Sequence, residues 1–198
     1  MQILNQIRPL ILVFWLVAGI PAAGSALTFG NVEDLGLTSY HAPTFILGEA
    51  ITVPVPFLLT DVGILFKNSG YDAQVGIYTD LGGLPDVLVA DSGIFAVSTI
   101  GHLETAVPPV ALAPGDYWFM AIFDGRASVG YSETGGAVVY QGFQFGDPLY
   151  DPFSDPYGTP QTYVGQDFNY YLVGQPIPEP GTAMLLGLGL VGLASRRS

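Results

Sequence analysis

Pro114-Gly115-Asp116-Tyr117-Trp118-Phe119-Met120-Ala121-Ile122-Phe123 reads as a turn followed by seven apolar residues. A short run that is apolar at odd and even positions alike suits a central strand covered on both faces. Working outward, Val62, Ile64 and Phe66 share one face of a run that ends at the turn-like Lys67-Asn68-Ser69-Gly70. Val75 and Ile77 share a face of the next run, up to Tyr78. Asp80-Leu81-Gly82-Gly83-Leu84-Pro85-Asp86 is then a cluster of chain breakers, after which Val87, Val89 and Ile94 to Val97 resume the pattern. Ala137 to Phe145 and Phe168 to Val173 supply later strands. Helical periodicity is scarce. About eight strands with a turn signal roughly every ten residues predict an all-β chain, a single two-sheet antiparallel sandwich of jelly-roll type.

Composition agrees and excludes alternatives. The chain has 198 residues, of which 49% are hydrophobic and only 11% charged, with 26 glycines and 16 prolines. That is too apolar for a disordered polymer and too rich in breakers for a helical bundle. Between Leu27 and Pro178 the cations are Lys67 and Arg126 against sixteen acids, a formal charge of −14. Nucleic-acid affinity depends on cationic contacts to phosphate, so a DNA or RNA partner is excluded. With no cysteine there is no disulfide framework and no thiolate chemistry.

Both ends read as addresses. Leu10 to Ile20 is an eleven-residue apolar run behind Arg8, broken by Pro21 and followed by the small residues Ala22 to Ala26. At about 1.5 Å per residue it spans about 16 Å of a hydrocarbon core of about 30 Å. It reads as a signal helix, with Gly24 and Ala26 placed for cleavage after Ala26. Residues 1–26 are thus expected to be a signal peptide, 27–175 a β-sandwich ectodomain, and 176–198 a sorting and anchor segment.

The third of these runs Pro176-Ile177-Pro178-Glu179-Pro180-Gly181, then a glycine-laced apolar stretch from Thr182 to Ala194, then Ser195-Arg196-Arg197-Ser198. A stiff Pro-rich hinge, a short apolar transmembrane helix and a cationic stop hold the arginines on the cytoplasmic side and the sandwich outside. Gly187 to Gly192 spells G-x-G-x-x-G, but only six residues follow it, so no dinucleotide fold is built there.

This tail resembles the PEP-CTERM sorting signal of Gram-negative bacteria, also labelled an ice-binding-protein C-terminal domain. Pro178, Glu179, Pro180, Arg196 and Arg197 carry the resemblance. It implies an exported precursor held transiently at the inner membrane, cut by signal peptidase at one end and processed near the motif by an exosortase at the other. Glu179 then belongs to a recognition motif. The stretch from Val75 to Phe123 looks like a carbohydrate-binding-like β-sandwich module of exported bacterial proteins, on the strength of Gly76-Ile77-Tyr78-Thr79-Asp80, Gly82-Gly83-Leu84-Pro85 and Leu112 to Trp118. Asp86 stands where many such modules have glycine.

Recognisable chemistry is thin. There is no G-x-S-x-G, H-E-x-x-H or P-loop. His102-Leu103-Glu104 offers half a metal site on one strand face. Asp147-Pro148-Leu149-Tyr150, Asp151-Pro152-Phe153-Ser154 and Asp155-Pro156-Tyr157-Gly158 repeat Asp-Pro-x-x three times. Each Asp-Pro favours a turn, and the plain reading is a rigid loop. The sharper one makes Asp147, Asp151 and Asp155 calcium ligands, with Tyr150, Phe153, Tyr157 and Tyr163 as rings for stacking on sugar. Trp118 is read as core. The expected function is non-catalytic: a surface or extracellular-matrix protein associated with exopolysaccharide or biofilm, with no cofactor beyond that calcium. The alternative is a secreted polysaccharide hydrolase using paired carboxylates.

Overall fold

The computed structural model describes residues 25–41, 45–133, 138–143, 153 and 161–178. The expected signal helix and the apolar tail helix lie outside these residues. Within them the chain is all β, in fourteen strands and no helix. They are β1 (Leu27–Gly30), β2 (Leu37–His41), β3 (Phe45–Val53), β4 (Phe57–Phe66), β5 (Tyr71–Asp80), β6 (Pro85–Asp91), β7 (Phe95–Val97), β8 (Gly101–Leu112), β9 (Gly115–Phe123), β10 (Ala127–Ser132), β11 (Val138–Phe143), β12 (Gln161–Val164), β13 (Asp167–Phe168) and β14 (Tyr170–Pro176).

Every pairing is antiparallel, and the strands form two sheets. The first contains the run β1-β14-β4-β8, with β10, β2 and β13 beyond it. The second contains β3-β9-β5-β6, extended by β11 and β12 on one side and β7 on the other. The chain alternates between the two runs in the order of a jelly roll. Residues 54–56 and 113–114 cross between sheets at the same end, and such short connections hold those strand ends together.

The strand that decided the fold behaves as its sequence dictates. In β9, Tyr117, Phe119, Ala121 and Phe123 point between the sheets and join the main core, with Val62, Ile64 and Phe66 of β4 and Val75 and Ile77 of β5. The intervening Trp118, Met120 and Ile122 belong to a second apolar cluster, with Ile46, Tyr78 and Phe153. Alternation along a strand puts this second cluster on the outer face of the second sheet. Hence β9 is apolar throughout: both of its faces are covered.

Two long strands lie where the sequence shows no clean pattern. In β8, residues 101–106 alternate half-buried with exposed, and Pro108-Pro109 then interrupt. Those prolines fall where the register with β4 shifts, between Leu59 and Asp61. An edge strand at a bulge tolerates residues without an amide proton. In β3, Gly48 and Glu49 spoil the alternation; Gly48 leaves room for the Met120 side chain, and Glu49 turns inward.

Candidate functional site

Five places could host chemistry. On the outer face of the second sheet, Trp118 Nε1 donates to Asp80 Oδ1 at 2.7 Å, while Asp80 Oδ2 accepts from the Gly83 amide of the β5–β6 turn. One carboxylate thus ties a buried indole to a Gly-Gly hairpin. Phe153 lies over this floor, its ring edge-on to Tyr78 with 6.1 Å between centroids, and is only 5% exposed. The ring expected to offer a stacking face to solvent therefore packs as core. Tyr163 sits in β12 opposite Val139. Tyr150, Tyr157, Asp147, Asp151 and Asp155 lie outside the described residues, as do Glu179, Pro180, Arg196 and Arg197.

Between the sheets is a buried polar cluster that sequence reasoning did not find. Glu49 is 3% exposed; Oε1 accepts from Asn31 Nδ2 at 2.9 Å and Oε2 from the Phe168 amide at 2.6 Å. Burial holds its carboxyl well above the usual carboxylate range, opposed by the Phe168 amide bond and reinforced by Asp167. Next to it Asn169 donates from Nδ2 to the carbonyls of Asn31 and Glu33 and accepts from the Leu35 amide. These bonds fix the 31–36 loop across the end of β1. His41 is also buried, against Phe123 and Phe168, and burial alone takes its pKa down to about 4. A perturbed carboxyl is a usual mark of catalysis. Here both oxygens are engaged inside the core, and a general acid must reach its substrate. Glu49 is a bridge between sheets rather than half of a glycosidase pair.

His102 and Glu104 do share the exposed side of β8, as their spacing predicts. His102 lies against the Tyr171 ring, 5.8 Å between centroids. Burial pushes the Tyr171 hydroxyl up to about 12, and the neighbouring Glu104 charge and hydrogen bond add to it. Gly63 makes room for this ring, because a Cβ there would collide with it. Among the described residues no three His, Asp or Glu side chains are grouped to hold a metal. A concavity of about 360 Å³ is lined by residues of the 70–72 and 96–98 segments and by Asp124. Asp124 caps the Asp72 amide at 2.7 Å, so its acid already has a structural partner.

The fifth place is where the chain leaves the sandwich. β14 pairs with β4 down to Pro176 opposite Phe57, and the Ile177 amide donates to the Pro56 carbonyl at 2.8 Å. Pro178 follows, exposed.

Fold and exit together define a two-sheet jelly roll that hands its last strand directly to a Pro-rich tail. Residues 176–198 match the PEP-CTERM protein-sorting motif, so the chain carries the signal of an exported, membrane-anchored precursor and of an exosortase substrate. No curated protein matches the chain. The fold is similar to that of the clostridial cysteine protease Cwp84 after propeptide cleavage, with a TM-score of 0.56 and 14% identity over 77% of this chain. This chain spans about 40% of that structure's length. A second structure, of the cysteine protease and lectin-like domains of Cwp84, a surface layer associated protein of Clostridium difficile, gives 0.49, 13% identity, and coverage of 71% of this chain and 36% of that one. At 14% identity the first likeness is one of fold alone.

Proposed function

We propose that this is a non-catalytic surface or extracellular-matrix protein of a Gram-negative bacterium, in which the sandwich is the delivered part and the tail its address. The observation that carries this reading is the sorting motif at residues 176–198, beginning where the last strand ends. Its partners during delivery are signal peptidase at the leader and exosortase at the tail. At its destination the sandwich associates with exopolysaccharide or a biofilm layer. A segment of formal charge −14 is repelled by an anionic polysaccharide unless a divalent cation bridges them. Asp147, Asp151 and Asp155 are the carboxylates assigned to such calcium.

The test has two arms. In the native host, Glu179→Ala is expected to leave unprocessed chain in the membrane fraction while the parent chain appears at the surface. The processed protein is then sedimented with the host's own extracellular polysaccharide in millimolar calcium and in chelator. Calcium-dependent co-sedimentation, lost in an Asp147→Asn, Asp151→Asn, Asp155→Asn triple variant, supports the assignment. Absence of co-sedimentation in both conditions removes the polysaccharide reading and leaves the address intact.

A further inference from the structure

β1 enters the sandwich, and β14 leaves it, at one end. Leu27 pairs with Gly174 and Pro176 with Phe57, so the residues before Leu27 and after Ile177 emerge side by side. The same end carries the 54–56 crossing, the 113–114 crossing and the 81–84 turn, since Val53 lies opposite Gly115 and Asp80 opposite Pro85. Both apolar runs of the sequence, Leu10 to Ile20 and Thr182 to Ala194, therefore attach to neighbouring strands at this end.

The link to the second run is short. From Ile177, the last hydrogen-bonded residue among those described, to Thr182 there are five Cα steps. Fully extended, these reach at most about 18 Å. The headgroup layer occupies about 5–7 Å of that on one side of a bilayer. The opposite end, at Phe66 and Gly101, is a ten-residue strand away, about 30 Å.

What the near end shows to solvent suits this position. Leu81 is 67% exposed, Leu84 42% and Val55 39%. Its acids are partly occupied: Asp80 holds Trp118 and the Gly83 amide, and Asp116 accepts from Thr52 Oγ1 at 2.6 Å. Asp86 also lies there. Lys67 and Arg126, the only cations between Leu27 and Pro178, are both at the far end. The far end also shows apolar side chains, Tyr40, Ile94 and Ile100, so neither charge nor apolar exposure selects the near end; the short tether does.

We propose that, in the anchored precursor, this end of the sandwich faces the membrane, with Val55, Leu81 and Leu84 resting in the lipid headgroup layer. The proposal rests on residues 182–194 acting as a membrane anchor. It makes the contact apolar, insensitive to salt, and dependent on the tail.

The chain contains no cysteine, so single-cysteine variants of the full chain report one position each. Leu81→Cys, Leu84→Cys and Ile100→Cys are labelled with a polarity-sensitive fluorophore. Ile100, 68% exposed beside Gly101, marks the far end. The proteins are reconstituted in phosphatidylcholine vesicles containing a small fraction of headgroup-nitroxide phosphatidylcholine. Flotation of the chain with vesicles after an alkaline wash reads the anchor by itself. The expected result is several-fold stronger quenching at 81 and 84 than at 100, unchanged between low and high salt. Equal or reversed quenching in floating protein overturns the orientation while the anchor stands. A chain that does not float removes the anchor, and the proposal with it.

Discussion

Phe153 is the described point at which the Asp-Pro segment touches the sandwich, and Gly76 lies under its ring. A Cβ at position 76 would stand 3.0 Å from Cγ and Cδ2 of Phe153 and 3.2 Å from Cδ1 of Leu88. Carbon atoms are comfortable at about 3.5–4.0 Å. Gly76→Ala in the parent chain therefore overpacks the site, at a cost of about 1–3 kcal/mol. Alanine recovers about 0.5–1 kcal/mol over glycine in a strand. The net expectation is a loss of about 1 kcal/mol. Phe153→Ala alone removes a buried ring, and the central figure for such a truncation is about 3–5 kcal/mol. The lower end applies here, because the ring rests on one sheet face. In the Phe153→Ala background the ring contacts are gone and only the flexible end of Leu88 remains close, at 3.2 Å, so Gly76→Ala should change sign and stabilise by about 0.5–1 kcal/mol. Urea unfolding of the four proteins at pH 7, followed by far-ultraviolet circular dichroism, yields a coupling of about 2 kcal/mol if the ring sits as described. Independent sites add to within about 0.5 kcal/mol. Additivity at that level would refute the placement of Phe153 on Gly76.

The buried His41 and Glu49 pull stability in opposite directions with pH. His41 has its pKa lowered from 6.5 to about 4, so its contribution is complete above pH 6.5 and is lost as pH falls towards 4. Glu49 is raised above 4.5, so its contribution is complete below that value and is lost as pH rises. Each slope approaches about 1.4 kcal/mol per pH unit at its steepest. Between pH 4.5 and 6.5 they offset, and the parent protein should show a nearly flat urea midpoint. Glu49→Gln should make stability rise with pH across that window, and His41→Leu should make it fall; parallel profiles in all three would sink the assignment. Asn169→Ala removes three hydrogen bonds to the 31–36 loop inside the fold. It should cost about 2–4 kcal/mol at about 1 kcal/mol per bond, with hydrogen exchange rising first at Leu35. Unchanged exchange there would mean that the loop is held by other contacts.

The parts of the fold legible in sequence are those whose signal is contiguous. β9 announces itself because burial on both faces leaves no polar position between Tyr117 and Phe123, and Pro-Gly-Asp marks its start. The β5–β6 hairpin is visible in Gly82-Gly83. β8 is hidden because Pro108-Pro109 look like a break, whereas an edge strand absorbs them in a bulge. β3 is hidden because Glu49 faces the core for a partner that arrives more than a hundred residues later, at Phe168. Trp118 is correctly read as buried, but alternation could not say what would cover it. Its neighbours Ile46, Tyr78 and Phe153 come from three separate segments. The sorting tail is the opposite case. Its three ordered features lie within twenty-three residues, so no folding is needed to see them.

That contrast bears on how the molecule survives its own processing. The first and last described strands, β1 and β14, pair with each other, and β14 pairs with β4 over its whole length. A cut upstream of Pro176 would strip residues from this ladder, whereas a cut at or beyond Pro178 leaves every described strand pairing in place. Among the described residues the hydrogen bonding of the sandwich ends at Ile177, so a cut at or beyond Pro178 takes none of its described core. The processed protein should match the unprocessed chain in urea midpoint within about 0.5 kcal/mol, as expected for a change remote from core, caps and networks. A larger drop would show that residues beyond Pro178 support the sandwich, and the separation between address and fold would have to be abandoned.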